Sequence, residues 1–362
     1  MNHAHHGWRR HARDALAALC AVGLTAAAAA CGAAAGGSAS GGGNSTWTYG
    51  ILVPKGDSGF GLMAEARNYY KQQGLNVQIK QFVGNVQLTQ ALVSGAIDAG
   101  DTAPDPVYDA VLKGADLKII GSTLPKVTYA IIAKSDIKTV ADLQGKTVGA
   151  SAPGAYPDAV VRAVMAASHA NANTIHVVPT GSDSQRFQAL VAGRVDAAAI
   201  SDSFVPQAAK NPKLHLLVEA QSVIPNYPRF YLAANGNSVK NKPVAAQRFL
   251  TAEMRGLCYA TMHPDAARQV AASYLKVSPG SPSLKYVQQV ITSAHAVSPT
   301  SAILMGPLQY LQQFRLNQGF QHGKVNFSTL TDMSLNAKAL KAAKLPAACL
   351  PRHPLGTGCR FV

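Results

Sequence analysis

Residues 90–99 read QALVSGAIDA and residues 188–197 read QALVAGRVDA, identical at seven of ten positions with an offset of 98. No other feature constrains the fold of this chain so strongly. A solenoid needs three or more copies of its unit. Two copies about 100 residues apart, in a chain of 362, describe two similar halves instead. Each copy follows a polar turn, Gly84-Asn85 in the first and Gly181-Ser182-Asp183 in the second. Each leads into a short apolar run and another turn, Gly100-Asp101-Thr102 and Ile200-Ser201-Asp202-Ser203.

The surrounding pattern alternates strand and helix. Trp47–Val53, Val77–Phe82, Ile97–Gly100, Leu117–Ser122 and Tyr129–Lys134 read as strands. Leu62–Gln73, Val86–Ser94 and Pro104–Lys113 read as helices, the last with Pro in its first turn and Gly114 beyond its end. Such alternation predicts an α/β fold with largely parallel sheets. Hydrophobic residues at 48% and charged residues at 14% supply ample core material and argue against a disordered chain. The formal charge of +15 comes from scattered Lys and Arg with no stripe and no stacking motif, so nucleic acid is not expected as a partner.

The first 46 residues read as an address and a spacer. Arg9, Arg10 and Arg13 precede the apolar run Ala15–Ala30, which is short for a membrane span and fits the core of an export signal. The sequence Ala28-Ala29-Ala30-Cys31-Gly32 resembles a bacterial lipobox, with Cys31 as the lipidated residue; a plain secretory cleavage near the same alanines is the alternative. Residues 32–46 are a Gly/Ser/Ala linker that behaves as flexible coil. The expected protein is therefore exported and held on the outer face of the cell membrane by lipid.

Three segments carry a family resemblance: Ala99–Asp101; Leu112-Lys113-Gly114-Ala115-Asp116-Leu117-Lys118-Ile119-Ile120-Gly121; and Val140-Ala141-Asp142-Leu143-Gln144-Gly145-Lys146-Thr147-Val148-Gly149. Together with the repeats, over residues 47–335, they resemble the substrate-binding proteins of ABC importers for nitrate, sulfonates, taurine and thiamine precursors, the SsuA-like and NMT1/THI5-like group. The resemblance implies a two-lobed periplasmic-binding-protein fold of type II, each lobe a mixed sheet flanked by helices, with ligand between the lobes. It also implies that the chain crosses twice, expected near Ile131–Lys134 and Tyr231–Asn235. Lobe 1 is then 47–134 plus 233–345, lobe 2 is 135–232, and 346–362 form an irregular tail. The implied partners are a small-molecule ligand, a permease and an ATPase, for a monomeric binding protein without cofactor or metal. A sensory ligand-binding module is the alternative, and a THI5-like pyrimidine-synthesising enzyme a further one.

In such a fold ligands sit beyond the C-terminal ends of strands, where helix N-termini point. The candidate ligand residues are therefore Ser58, Phe60, Gly84, Asn85, Asp101 and Thr102 in lobe 1, and Ser151, Gly154, Ala155, Tyr156, Asp202 and Ser203 in lobe 2. Ser151–Ala155 is the strongest candidate for an anion. Phe60, Tyr108, Tyr156, Phe204, Tyr227, Phe230 and Tyr231 lie close to these turns and favour an organic ligand. Asp57, Asp101, Asp183 and Asp202 lie at the same turns. Either they cap helices or the ligand carries amines, as taurine or a pyrimidine does. No G-x-S-x-G, H-E-x-x-H, Walker loop or G-x-G-x-x-G occurs. Cys258 is expected to be buried in a helix, and Cys349 could pair with Cys359.

Overall fold

The computed structural model describes residues Ser45–Leu350. The expected export signal, Cys31, most of the expected linker and Cys359 lie outside the described residues. The first strand, β1, spans Ser45–Leu52, so Ser45 and Thr46 belong to the fold and not to the linker. The other strands are β2 Leu75–Phe82, β3 Ala99–Thr102, β4 Leu117–Leu124, β5 Tyr129–Lys134, β6 Thr147–Ala150, β7 His176–Pro179, β8 Ala197–Ser201, β9 Leu214–Glu219 and β10 Phe230–Asn235.

They form two five-stranded sheets, ordered β2-β1-β3-β10-β4 and β7-β6-β8-β5-β9. The sheets have the same plan. In each, four strands run in one direction and the fourth in order, β10 or β5, is antiparallel to both of its neighbours. The twin segments occupy the same place in both: helices Asn85–Val93 and Asp183–Val191, each leading into the third strand of its sheet.

The physical reason for the repeated letters is now visible. Gly95 (φ 73°) and Gly193 (φ 72°) end the two helices in the left-handed region that favours glycine. Asp98 and Asp196 then staple the third strand to its neighbour, β1 or β6. Asp98 accepts from the Thr48 amide at 2.8 Å and from the Lys242 ammonium at 2.8 Å. Asp196 accepts from the Thr147 amide at 2.9 Å and hydroxyl at 2.6 Å, and from the Lys134 ammonium at 2.7 Å. Burial opposes the charge on Asp196, but Lys134 and Thr147 outweigh it and hold the carboxyl down at about 2.

The chain passes between sheets at residues 125–128 and returns at 220–229. All of β5 pairs in the second sheet and all of β10 in the first. The crossings expected within β5 and β10 thus lie just before them. Both strands are long apolar runs, and a fully paired strand cannot also serve as a hinge. One buried apolar cluster runs through both lobes, including Leu88 and Ile119 from the first, Val160 and Ala197 from the second, and Leu308 from the C-terminal helices. A second cluster lies on the other face of the first sheet, where Phe249 packs on Trp47, Tyr49 and Tyr70.

Cys258, in helix Pro243–Met262, is disulfide-bonded to Cys349, which excludes the expected Cys349–Cys359 pair. The bond fastens the end of the described chain to the helix that covers the first sheet. It closes a separation of 91 residues. A Cys258→Ser/Cys349→Ser double variant is expected to lose roughly 2–5 kcal/mol of stability in denaturant unfolding. An unchanged midpoint counts against this role.

Candidate functional site

Because β5 and β10 run antiparallel, their first residues lie beside the C-terminal ends of their parallel neighbours. Tyr129 pairs with Ser201, and Tyr231 with Thr102. Both crossings therefore deliver side chains to the cleft edge of the sheets, where the loop after β1 also arrives with Lys55 and Asp57. These segments enclose two adjoining cavities that share Leu52, Lys55 and Phe230. The first is also lined by Asp57, Ser58, Gly61 and Asp101, the second by Asn85, Tyr129, Tyr156 and Arg229. Their volumes are about 30 and 20 Å³, so in this closed arrangement they have room for only a few water-sized groups.

The walls are charged. Arg229 is 1% exposed. Its guanidinium donates to Asp57 Oδ2 at 2.6 Å and lies 4.8 and 4.5 Å from the ring centres of Tyr129 and Phe230. Burial works against that charge, but Asp57 and the surrounding oxygens prevail and raise the guanidinium further above its ordinary value. Its Nε–H is buried without an acceptor. Lys55 pairs across the cleft with Asp183, at the start of helix Asp183–Val191, and Asp183 also pairs with Arg186. Tyr129 donates to Asp183 at 3.3 Å. Against its burial, Lys55 and Arg186 hold Asp183 below the ordinary carboxylate range. This ion pair bridges the two lobes.

Two acids behind the first cavity behave in the opposite way. Burial, with a smaller push from Asp57, raises Asp101 to about 7, although it accepts from Thr123 Oγ1 at 2.7 Å. Burial raises Glu253, on helix Pro243–Met262, to about 8, although Tyr70 donates to it.

Of the sequence candidates, the structure brings Ser58, Asn85, Asp101 and Tyr156 to the cavities. Asn85 Oδ1 accepts from Thr102 Oγ1 at 3.2 Å and from the Ala103 amide at 3.1 Å, so the buried Thr102 supports the wall from behind. Ser203 approaches the lobe 1 loop, its Cβ 3.5 Å from where a Cβ on Gly56 would stand. Thr102, Ser203 and six further candidates line neither cavity. Phe60 is packed in a core cluster with Met63 and Ile291, and Gly84 caps its helix. Ser151, Gly154 and Ala155 form a turn whose Gly154 amide already donates to Asp158 Oδ2 at 2.7 Å. The helix satisfies its own N-terminus with its own acid, so this turn loses its special claim on an anion. Asp202 is buried beside Glu219, whose other partner is Tyr286. Lys55, Tyr129 and Arg229 had gone unnoticed as site residues. The run Pro225–Tyr231, with one Arg among aromatics and prolines, is the signal that could have revealed Arg229.

Two matching five-stranded sheets, joined by paired crossings and facing each other over a crevice, define the two-lobed periplasmic-binding-protein fold. Residues 57–267 match the NMT1/THI5-like family model, and the chain belongs to that family. A Haemophilus influenzae protein named for thiamine biosynthesis is 26% identical over 219 residues, 59% of this chain and 68% of that one. An Escherichia coli protein named for binding aliphatic sulfonates is 31% identical over 164 residues, 44% of this chain and half of that relative. Among solved structures, the alkanesulfonate-binding protein SsuA of Xanthomonas axonopodis bound to MOPS shares the fold with TM-score 0.64 and 18% identity, covering 80% of this chain and 98% of that one. The Synechocystis nitrate-binding protein NrtA does so with TM-score 0.65 and 15% identity, covering 85% and 91%.

The raised acids set a pH dependence. Asp101 and Glu253 have folded values above the usual 3.8 and 4.5, so the folded state keeps protons that the unfolded chain releases. Their contribution is complete below about pH 4 and is lost as pH rises toward 8. Asp183 and Asp196, held low, contribute above about pH 4 and lose that contribution on acidification. Thermal stability is expected to peak at mildly acidic pH and decline toward pH 8, with Glu253→Gln flattening the alkaline limb. A calorimetric series in which the wild type is most stable at pH 8 contradicts this.

Proposed function

We propose that this chain is the extracytoplasmic solute-binding component of an ABC importer, and that it captures a small organic anion between its lobes. The observation that carries the ligand class is Arg229: a buried guanidinium lining the crevice, fixed by Asp57 and two aromatic faces, with one N–H lacking an acceptor. A sulfonate or carboxylate oxygen supplies that acceptor, and a charge-assisted bond in a dry crevice is strong. Tyr129, Tyr156 and Phe230 give an organic body something to pack on. Nitrate needs little of this.

The names of the relatives support a binding role, since those tied to sulfonates and nitrate are binding proteins. A desulfurization enzyme also shares the fold, at TM-score 0.59 and 17% identity. Here the two described cysteines are joined to each other, and neither offers a nucleophilic thiol. We read the chain as a receptor that delivers its solute to a permease and its ATPase, tethered through Cys31 if the lipobox is used.

Isothermal titration against alkanesulfonates, taurine, aminopyrimidines and nitrate tests this reading. Organic acids are expected to bind, and Arg229→Lys, which keeps a charge opposite Asp57 but loses the planar fork, is expected to weaken them by about tenfold or more. Nitrate as the only binder, or full affinity in a folded Arg229→Lys variant, overturns it.

A further inference from the structure

Of the four acids near the cleft turns, two are engaged by cations. Asp57 holds Arg229 and Asp183 holds Lys55 and Arg186, while Asp202, its oxygens unpartnered, is buried beside Glu219 and lines neither cavity. Asp101 differs. It is half-buried in the wall of the first cavity, and its only hydrogen bond is the one that Thr123 donates to Oδ1. Oδ2 has no partner among the described residues, and it faces Gly61, 3.7 Å from where a Cβ there would stand. Among the described residues no cation forms an ion pair with Asp101; Lys55, which lines the same cavity, is paired with Asp183.

One cavity is thus lined by a carboxyl with an unpartnered oxygen, and the next by an arginine whose Nε–H lacks an acceptor. The shared wall between them is formed by Leu52, Phe230 and the stem of Lys55. Either end alone fits many solutes. Together, with an apolar strip between, they fit one kind.

We propose that the crevice selects a dipolar solute, an alkyl acid bearing an amine, whose acid group is taken by Arg229 and whose ammonium is taken by Asp101. This rests on the reading of the crevice as an anion-binding cleft and adds Asp101 as the residue that determines specificity. The groups facing Asp101 are Tyr49 on β1, Asp57 after it, Thr123 on β4, Arg229 before β10 and Glu253 on helix Pro243–Met262. Burial leaves Asp101 titrating at about 7, so an arriving ammonium displaces a proton below that pH. Binding of aminated acids therefore strengthens as pH rises from 6 to 8, whereas binding of amine-free acids does not.

The test is titration calorimetry of the full chain with two matched pairs, taurine against ethanesulfonate and 3-aminopropanesulfonate against propanesulfonate, at pH 6 and pH 8. The aminated member of each pair is expected to bind about tenfold or more tightly at pH 8, and Asp101→Asn is expected to erase that preference by weakening the aminated member alone. Asp101→Ser serves if the Asn variant does not fold. Equal binding within each pair, or a folded variant that loses both members alike, overturns Asp101 as an ammonium acceptor while leaving the anion site standing. If none of the four acids binds, the anion reading itself falls, and this one with it.

Discussion

Arg229 carries a full charge with almost no access to water, and the arrangement of the cleft follows from that. An isolated guanidinium cannot remain in such a place; it needs a counter-charge and hydrogen-bond acceptors. Asp57 supplies the charge, from the loop after β1. Tyr129 and Phe230 supply aromatic faces, from the first residues of the two crossing strands. The loop after β1 and the starts of β5 and β10 are therefore fixed relative to one another through one side chain. The same loop places Lys55 against Asp183, so the anchor of lobe 1 and the clasp to lobe 2 lie two residues apart.

The molecule is held differently on its two sides. Behind the crevice, Tyr156 meets Tyr129 and Tyr227, and Tyr227 meets Phe314, within an apolar cluster that includes both lobes. Separating the lobes there exposes packed aromatic surface, which is costly. At the front, the lobes meet through Lys55–Asp183 and through Tyr286, on helix Pro282–Ser293, which donates to Glu219 and packs against the apolar cluster of lobe 2. Polar contacts of that kind exchange readily with water and contribute little net stability.

The repeat made the two sheets legible because its conserved letters do structural work in both halves: glycines ending helices, aspartates stapling strands. The first helix, Asn85–Val93, falls within a residue of where the pattern put it, but the strands that follow, Ala99–Thr102 and Ala197–Ser201, run into the turns expected at Gly100–Thr102 and Ile200–Ser203. The sites of crossing were less legible. Apolar runs such as Tyr129–Lys134 mark a strand without saying which sheet it joins, and that choice rests on partners far away in sequence. The charged cleft was missed for the same reason. Lys55 and Asp183 are separated by 128 residues, and Asp57 and Arg229 by 172. Each alone is one charge near a turn; only the fold makes them pairs.

The same distinction decides what the acids mean. In the sequence, Asp57, Asp101, Asp183 and Asp202 form a uniform set at cleft turns, and a uniform set suggests a ligand rich in amines. In the fold they separate by the company they keep. Two stand against cations, Asp57 against Arg229 and Asp183 against Lys55 and Arg186. One is pushed toward the neutral form beside a second buried acid. The fourth, Asp101, has a single hydroxyl donor and an open oxygen. A carboxyl so placed is poor at stabilising the empty protein, since burial raises its value to about 7 without a compensating partner. The proposed ammonium subsite rests on that difference: Asp101 lines a cavity with one oxygen unpartnered, whereas Asp57 and Asp183 are already paired.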